Sequence, residues 1–207
     1  MSSDLLRNVR ERRSVRNFLH KEIPGDALRD ILESAMWAPS AHNAQPWRFV
    51  VITGPDEKKR LAEAMANEWR KDLTSDGILP EDCERLIKYS IERFTHAPIL
   101  IVASIVMEEM HRYRDERRQQ VEHTMATQSL AAAIQNMLLA AHSKGLGSCW
   151  FCAPLFCQDA VRKVLGIPCN IEPQALITVG YPSEQPVPPP RKPLKEIVSK
   201  DRRGEHS

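Results

Sequence analysis

No stretch of this sequence is apolar for long enough to cross a membrane; the longest, Pro98 to Met107, is about half of what a span needs. The opening MSSDLLRNVR lacks the apolar h-region of a secretory leader, so the expected location is cytoplasmic. No sign of charge dominates. Twenty-nine Lys and Arg stand against 27 Asp and Glu, a formal net charge of +2 spread along the chain. A chain-wide basic footprint of the nucleic-acid type is therefore absent, although Arg7 to Arg16 and Arg191-Lys192 are local basic clusters. Internal repeats are missing, as is any obvious catalytic triad, and low complexity appears only in the tail.

What is present suits one soluble domain over residues 1–207. The 42% hydrophobic and 27% charged residues are ordinary for a globular protein, and 207 residues suffice for one well-buried core. Cys149, Cys152, Cys157 and Cys169 fall in one region, and Cys149-Trp150-Phe151-Cys152 is a CxxC. That pair sits in an apolar, strand-like run, not at a helix start where the dipole would activate a thiol. The spacings of two, four and eleven residues fit no common zinc or iron–sulfur pattern. Buried, unpaired cysteines are expected, with a metal or redox role as the alternative; no metal site is assigned.

Periodicity predicts helices over Asp4–Arg13, Pro24–Ala38, Asp56–Asp72, Glu81–Phe94, Asp115–Ser143 and Gln158–Leu165. Strands are expected at Trp47–Ile52, at Ile99–Val106 (apolar throughout, hence central), at Ser148–Cys152 and at Pro173–Tyr181. This alternation points to an α+β or α/β fold with helices covering a central sheet. In the long helix, Val121, Met125, Ile134, Met137, Leu138 and Ala141 mark an apolar face, with Ala131 to Ala133 beside it. Such a helix can serve the monomer core and a second copy together. Residues 183–200, with Pro186, Pro188, Pro189, Pro190 and Pro193, form an extended arm whose Leu194, Ile197 and Val198 suggest that it ends by docking.

Two clusters carry chemistry. Arg12, Arg13, Ser14 and Arg16 place three guanidinium groups and a hydroxyl at a helix end, enough to surround a phosphate with charge-assisted hydrogen bonds. Alone, the run reads more readily as a solvated face. Ser40, Asn43 and Gln45 lie in a Pro-bounded loop before a buried strand, where amides can pair with a heterocycle bearing carbonyl and N–H edges. The same loop also reads as a turn held by side-chain hydrogen bonds.

Together, RRSVRNF, APSAHNAQPWRFVVI, GLGSCW and PPRKPL resemble, in that order, the FMN-dependent nitroreductases over roughly Leu5 to Val198. The resemblance implies an α+β, nitroreductase-like fold with a central mixed sheet, and a long helix at a homodimer interface. It implies FMN as cofactor, with Arg12, Arg13, Ser14 and Arg16 at its phosphate and ribityl chain and Arg191 as a late second phosphate ligand. Ser40, Asn43 and Gln45 would come from the opposite subunit, and Gly147, Ser148 and Cys149 would border the flavin. His42 stands where many relatives carry a small residue and is a substrate-contact candidate. No counterpart of the family's glutamate–glycine pair is found in Gly145 to Phe151.

The implied activity is ping-pong hydride transfer from NAD(P)H, through flavin N5, to nitro, quinone or enone acceptors, with no specific catalytic side chain assigned. A narrower resemblance, through Asn67–Thr74, Ala97-Pro98-Ile99 and Phe156–Arg162, is to the flavin-binding C-terminal domain of the bifunctional enzyme of deazaflavin-coenzyme biosynthesis. It suggests reduction of a dehydro deazaflavin precursor, or deazaflavin-linked FMN reduction, as an alternative. Residues 67–82 are expected to form a lid. A non-enzymatic flavin-binding or redox-sensing module is the third reading, its output the CxxC or a partner surface.

Overall fold

The structure, a computed structural model, describes residues 4–199. Its helices are α1 (Asp4–Glu11), α2 (Gly25–Met36), α3 (Pro55–Ser75), α4 (Pro80–His96), α5 (Glu116–Ser143), α6 (Gln158–Leu165) and α7 (Leu194–Ile197). Strands β1 (Trp47–Ile52), β2 (Ile99–Val106), β3 (Gly147–Phe151) and β4 (Ile171–Gly180) form one sheet in the order β1-β2-β4-β3. The fold class is α+β, as expected. The four strands pair antiparallel, where a mixed sheet was expected; the parallel pairing is an isolated bridge between Ser14 and Ser148.

Every residue of β2 is buried, so its unbroken apolar run reflects a strand covered on both faces. Ile99, Ile101, Ala103 and Ile105 face α2 and α5 through Ile31, Ala35, Ile134, Met137 and Ala141. Leu100 and Val102 face the opposite layer, where Leu61, Ala62 and Met65 of α3 meet Phe94 and Val161. The alternation of two faces along one strand thus assigns each neighbouring helix its layer. The register slips between Ala103 and Ser104, opposite Pro173, a residue with no N–H to give the ladder.

Buried Lys58 has a defined task. Its ammonium donates to the carbonyls of Ala97 (2.8 Å) and Pro98 (3.3 Å), and burial lowers its pKa. It ties α3 to the junction between α4 and β2.

The N-terminal segment runs along the free edge of β3. The Val15 N–H donates to the Ser148 carbonyl at 3.0 Å, and the Leu19 N–H to the Tyr181 carbonyl at 2.9 Å. This approach requires Gly147. A Cβ there would meet the Val15 side chain at 2.7 Å, and one at the facing Gly180 would meet Phe18 and Pro98 at the same distance.

Three expectations need correction. Val121 is half exposed, although the helix around it is well packed. Of the four clustered cysteines, only Cys149 and Cys157 are buried, while Cys152 and Cys169 are exposed; all are free thiols. The apolar end of the arm does not dock on its own chain: Leu194, Ile197 and Val198 are 74, 66 and 56% exposed. Residue 200, the arm's last, lies outside the described residues.

Candidate flavin site

α1 closes its last turn with the Arg12 N–H on the Asn8 carbonyl at 3.0 Å. This turn sets the Arg12 guanidinium half-buried between the helix end and β3. Burial, the largest effect, lowers its pKa; Cys149 opposes it, and the nearby charges of Arg13 and Arg191 add smaller lowering effects. Arg191, on the proline-rich arm, is near enough to act electrostatically on Arg12. Arg13 folds onto its own backbone, donating to the carbonyls of Arg10 (2.6 Å) and Arg12 (2.8 Å). Arg16 is exposed, with its guanidinium 3.5 Å from the Ser14 carbonyl.

His142, in the last turn of α5, shares this positive field. Burial lowers its pKa; Glu11 opposes the shift, and Arg12 and Arg13 add to it. Arg12, Arg13, His142, Gly147 and Ser148 line one small concavity of about 110 Å³. The buried Ser148 hydroxyl has no hydrogen-bond partner. A buried hydroxyl without a partner is costly, and Ser104 and Thr178 in the same sheet carry two more. The Cys149 thiol is buried, and burial raises its pKa, against the lowering effects of Arg16, a Ser14 hydrogen bond, Arg93 and Arg12.

Arg93 was not legible as a site residue. It sits in the last turn of α4 like any helical cation, yet its guanidinium lies 4.4 Å from the Tyr89 ring centroid and 5.6 Å from that of Phe151. With Trp69, Phe94 and Phe156 it borders an apolar cavity of about 520 Å³. The expected lid, residues 67–82, supplies Glu68, Trp69, Asp72 and Asp76 to this cavity, but as the tip of the helical hairpin α3–α4 and not as a loop.

The second cluster is a strained turn. His42, Asn43 and Gln45 have φ of 56, 53 and 46°. Left-handed backbone suits Asn and costs His and Gln, on the order of 1–3 kcal/mol each. Hydrogen bonds hold it: the Gln45 N–H donates to Ser40 Oγ, and the Ala41 N–H to Ser129 Oγ on α5, both at 3.1 Å. The Asn43 and Gln45 side chains are left exposed. His42 turns the other way. Its Nε2 is 3.3 Å from Glu122 Oε1, and its ring stacks on His111 with centroids 3.8 Å apart.

Within one chain, the two clusters do not meet. The Ser40–Gln45 loop rests on α5 at Glu122 and Ser129, while Arg12 lies by His142. Thirteen residues of helix separate Ser129 from His142, about 20 Å of axial rise.

The Nitroreductase family profile matches residues 9–181, taking in both clusters and every strand. The chain belongs to this family. It is 30% identical over 202 residues to an NADH dehydrogenase of Thermus thermophilus, covering 91% of each chain. It is 28% identical to YfhC of Bacillus subtilis, assigned as an NAD(P)H nitroreductase, over 91% of this chain and 89% of that one. Among solved structures it resembles a Desulfovibrio desulfuricans protein assigned as a nitroreductase and crystallised with FMN. There the identity is 25%, the TM-score 0.73, and the coverage 98 and 99%.

Proposed function

We propose that this nitroreductase-family chain is an FMN-dependent NAD(P)H oxidoreductase, working as a homodimer and reducing nitro, quinone or enone compounds. The observation that carries the reading is the concavity where half-buried Arg12 and Arg13 meet His142, Gly147 and Ser148, with Arg191 near enough to act on Arg12. Burial lowers the pKa of Arg12 and of His142, and with Arg13 beside them the concavity, also lined by Glu11 and Glu184, offers charge-assisted hydrogen bonds to a dianionic phosphate. The names of the relatives supply the nicotinamide and flavin chemistry.

FMN bound here would accept hydride from a nicotinamide and pass it to the acceptor. The chain's own residues do the rest. Arg12, Arg13 and Arg191 bind the phosphate, with Ser14 and Arg16 toward the ribityl chain. Gly147 lets the N-terminal segment close on β3 and thus fixes Arg12. Asn43 and Gln45, held outward by the Ser40 hydrogen bond, offer amide groups to a ring edge supplied by a second copy. Trp69, Phe151 and Phe156 present apolar walls that exclude water, and Arg93 places a positive charge beside them.

The uncovered surfaces of one chain favour a dimer. Trp37 is 86% exposed, and Leu5, Val9 and Met36 are also open, as is the arm's apolar end. Apolar area of this kind marks an interaction surface. Two copies antiparallel along α5 would bring the Ser40–Gln45 loop of one to the Arg12 end of the other. The test is direct: the purified protein should be yellow, or bind added FMN, and oxidise NADH or NADPH with a quinone or nitroarene. A colourless protein that refuses FMN would refute it. Adding a deazaflavin to the acceptor panel separates the narrower alternative.

A further inference from the structure

The strained loop carries a second constellation that flavin binding does not use. His42, His111 and Glu122 place one ring nitrogen each and a carboxylate oxygen within 4.8 Å of one another. The three come from separate elements: the 3-10 turn before β1, the loop after β2, and α5. Glu122 is only 1% exposed, a costly position for a carboxylate unless it is well partnered. Its Oε1 faces His42 Nε2, and its Oε2 accepts the His111 backbone N–H at 3.3 Å.

We propose that His42, His111 and Glu122 form a binding site for one divalent transition-metal ion of the zinc, cobalt or nickel type. Two imidazoles and a carboxylate are a donor set that such borderline ions favour, whereas magnesium and calcium prefer oxygen alone. The stacked rings keep two imidazoles within reach of one ion, and a side-chain rotation that splays their planes would let both nitrogen lone pairs converge on it. Ligand atoms about 2.0–2.1 Å from a tetrahedral ion stand roughly 3.4 Å apart, so rotamer adjustments from the present spacing close the site.

The supporting shell is already built. The His111 N–H orients the Glu122 carboxylate, much as outer-shell partners orient metal ligands elsewhere. The loop bearing His111 is pinned to the start of α5 by the Tyr113 N–H on Gln119 Oε1 at 3.0 Å, and Asp115 caps that helix by accepting from the Arg118 N–H. The His42 ring turns to Glu122 and His111 while the Asn43 and Gln45 side chains point out. Three protein ligands leave a coordination position open to water or an exogenous donor.

Chelator-treated full-length protein, its flavin content recorded separately, is titrated with Zn²⁺ against a chromophoric chelator and with Co²⁺ by visible absorption. The expected result is one equivalent per chain. His42→Ala and His111→Ala, both exposed positions, should each weaken binding by roughly 10- to 100-fold or more. His123→Ala, whose ring pairs with Glu172 at 2.8 Å, should leave uptake unchanged. Failure of the wild-type protein to take up stoichiometric metal would overturn the proposal. So would uptake that survives loss of either His42 or His111, or that falls equally with His123→Ala.

Discussion

Arg12, at the end of the first helix, has its pKa lowered chiefly by burial, and Arg191 on the proline-rich arm lies close enough to add to that lowering. Two cations held together need an anion to stabilise them, and a phosphate meets that need with charge-assisted hydrogen bonds worth roughly 1.5–3 kcal/mol each. Arg12→Ala, and independently Arg191→Ala, should therefore weaken FMN by about tenfold or more, with circular dichroism unchanged. A fluorescence titration of FMN reads the result; wild-type affinity in both variants would mean the phosphate sits elsewhere.

Gly147→Ala tests the seating of the N-terminal segment. A methyl group at that position meets the Val15 side chain at 2.7 Å, so the segment must lift from β3. Overpacking of this kind costs about 1–3 kcal/mol. Because Arg12 rides on the same segment, the melting temperature and the FMN affinity should fall together. A drop in one alone would separate the seating from the site.

His142 gives the pH dependence. Its folded pKa lies below the ordinary value of about 6.5 because burial and the neighbouring Arg12 and Arg13 disfavour the imidazolium. The unfolded chain therefore takes up the proton first as pH falls. Stability present above about pH 6.5 declines below it, until the folded imidazole also titrates. Melting curves from pH 8 to 5 should show this decline in the flavin-free protein and a shallower one in His142→Gln. Parallel curves would assign the acid sensitivity to other groups.

The cysteines should divide by exposure. Cys157 is pushed up to about 11, chiefly by burial, and Cys149 is also raised by burial. Under native conditions a maleimide should label Cys152 and Cys169 and spare Cys83, Cys149 and Cys157. Rapid labelling of Cys149, or a ready disulfide between Cys149 and Cys152, would revive the redox-sensing alternative.

The sequence disclosed elements better than exposures. β2 was legible because a strand buried on both faces must be apolar throughout, and β1 and α6 matched their predicted limits for similar local reasons. Val121 shows the limit: its hydrophobic character fits the helix pattern, but packing leaves it half exposed. Cys152 falls just past the end of β3, where a single turn moves it from core to surface. Arg93 and the His42–His111–Glu122 cluster join positions far apart in the chain. No local pattern distinguishes them from ordinary surface residues. The left-handed turn at His42, Asn43 and Gln45 was hidden for another reason, since nothing in its letters calls for positive φ except the asparagine.

The central claim is that each flavin site is assembled from two copies, Arg12 and Arg191 from one and Asn43 and Gln45 from the other. Subunit mixing tests it most directly. Arg12→Ala/Arg191→Ala protein and Asn43→Ala/Gln45→Ala protein are each prepared unable to hold FMN, then mixed in equal amounts and allowed to exchange. Half of the resulting dimers are mixed, and each mixed dimer has one intact site, so FMN binding should return to about one quarter of all sites. If both halves of the site belonged to the same chain, mixing would restore none.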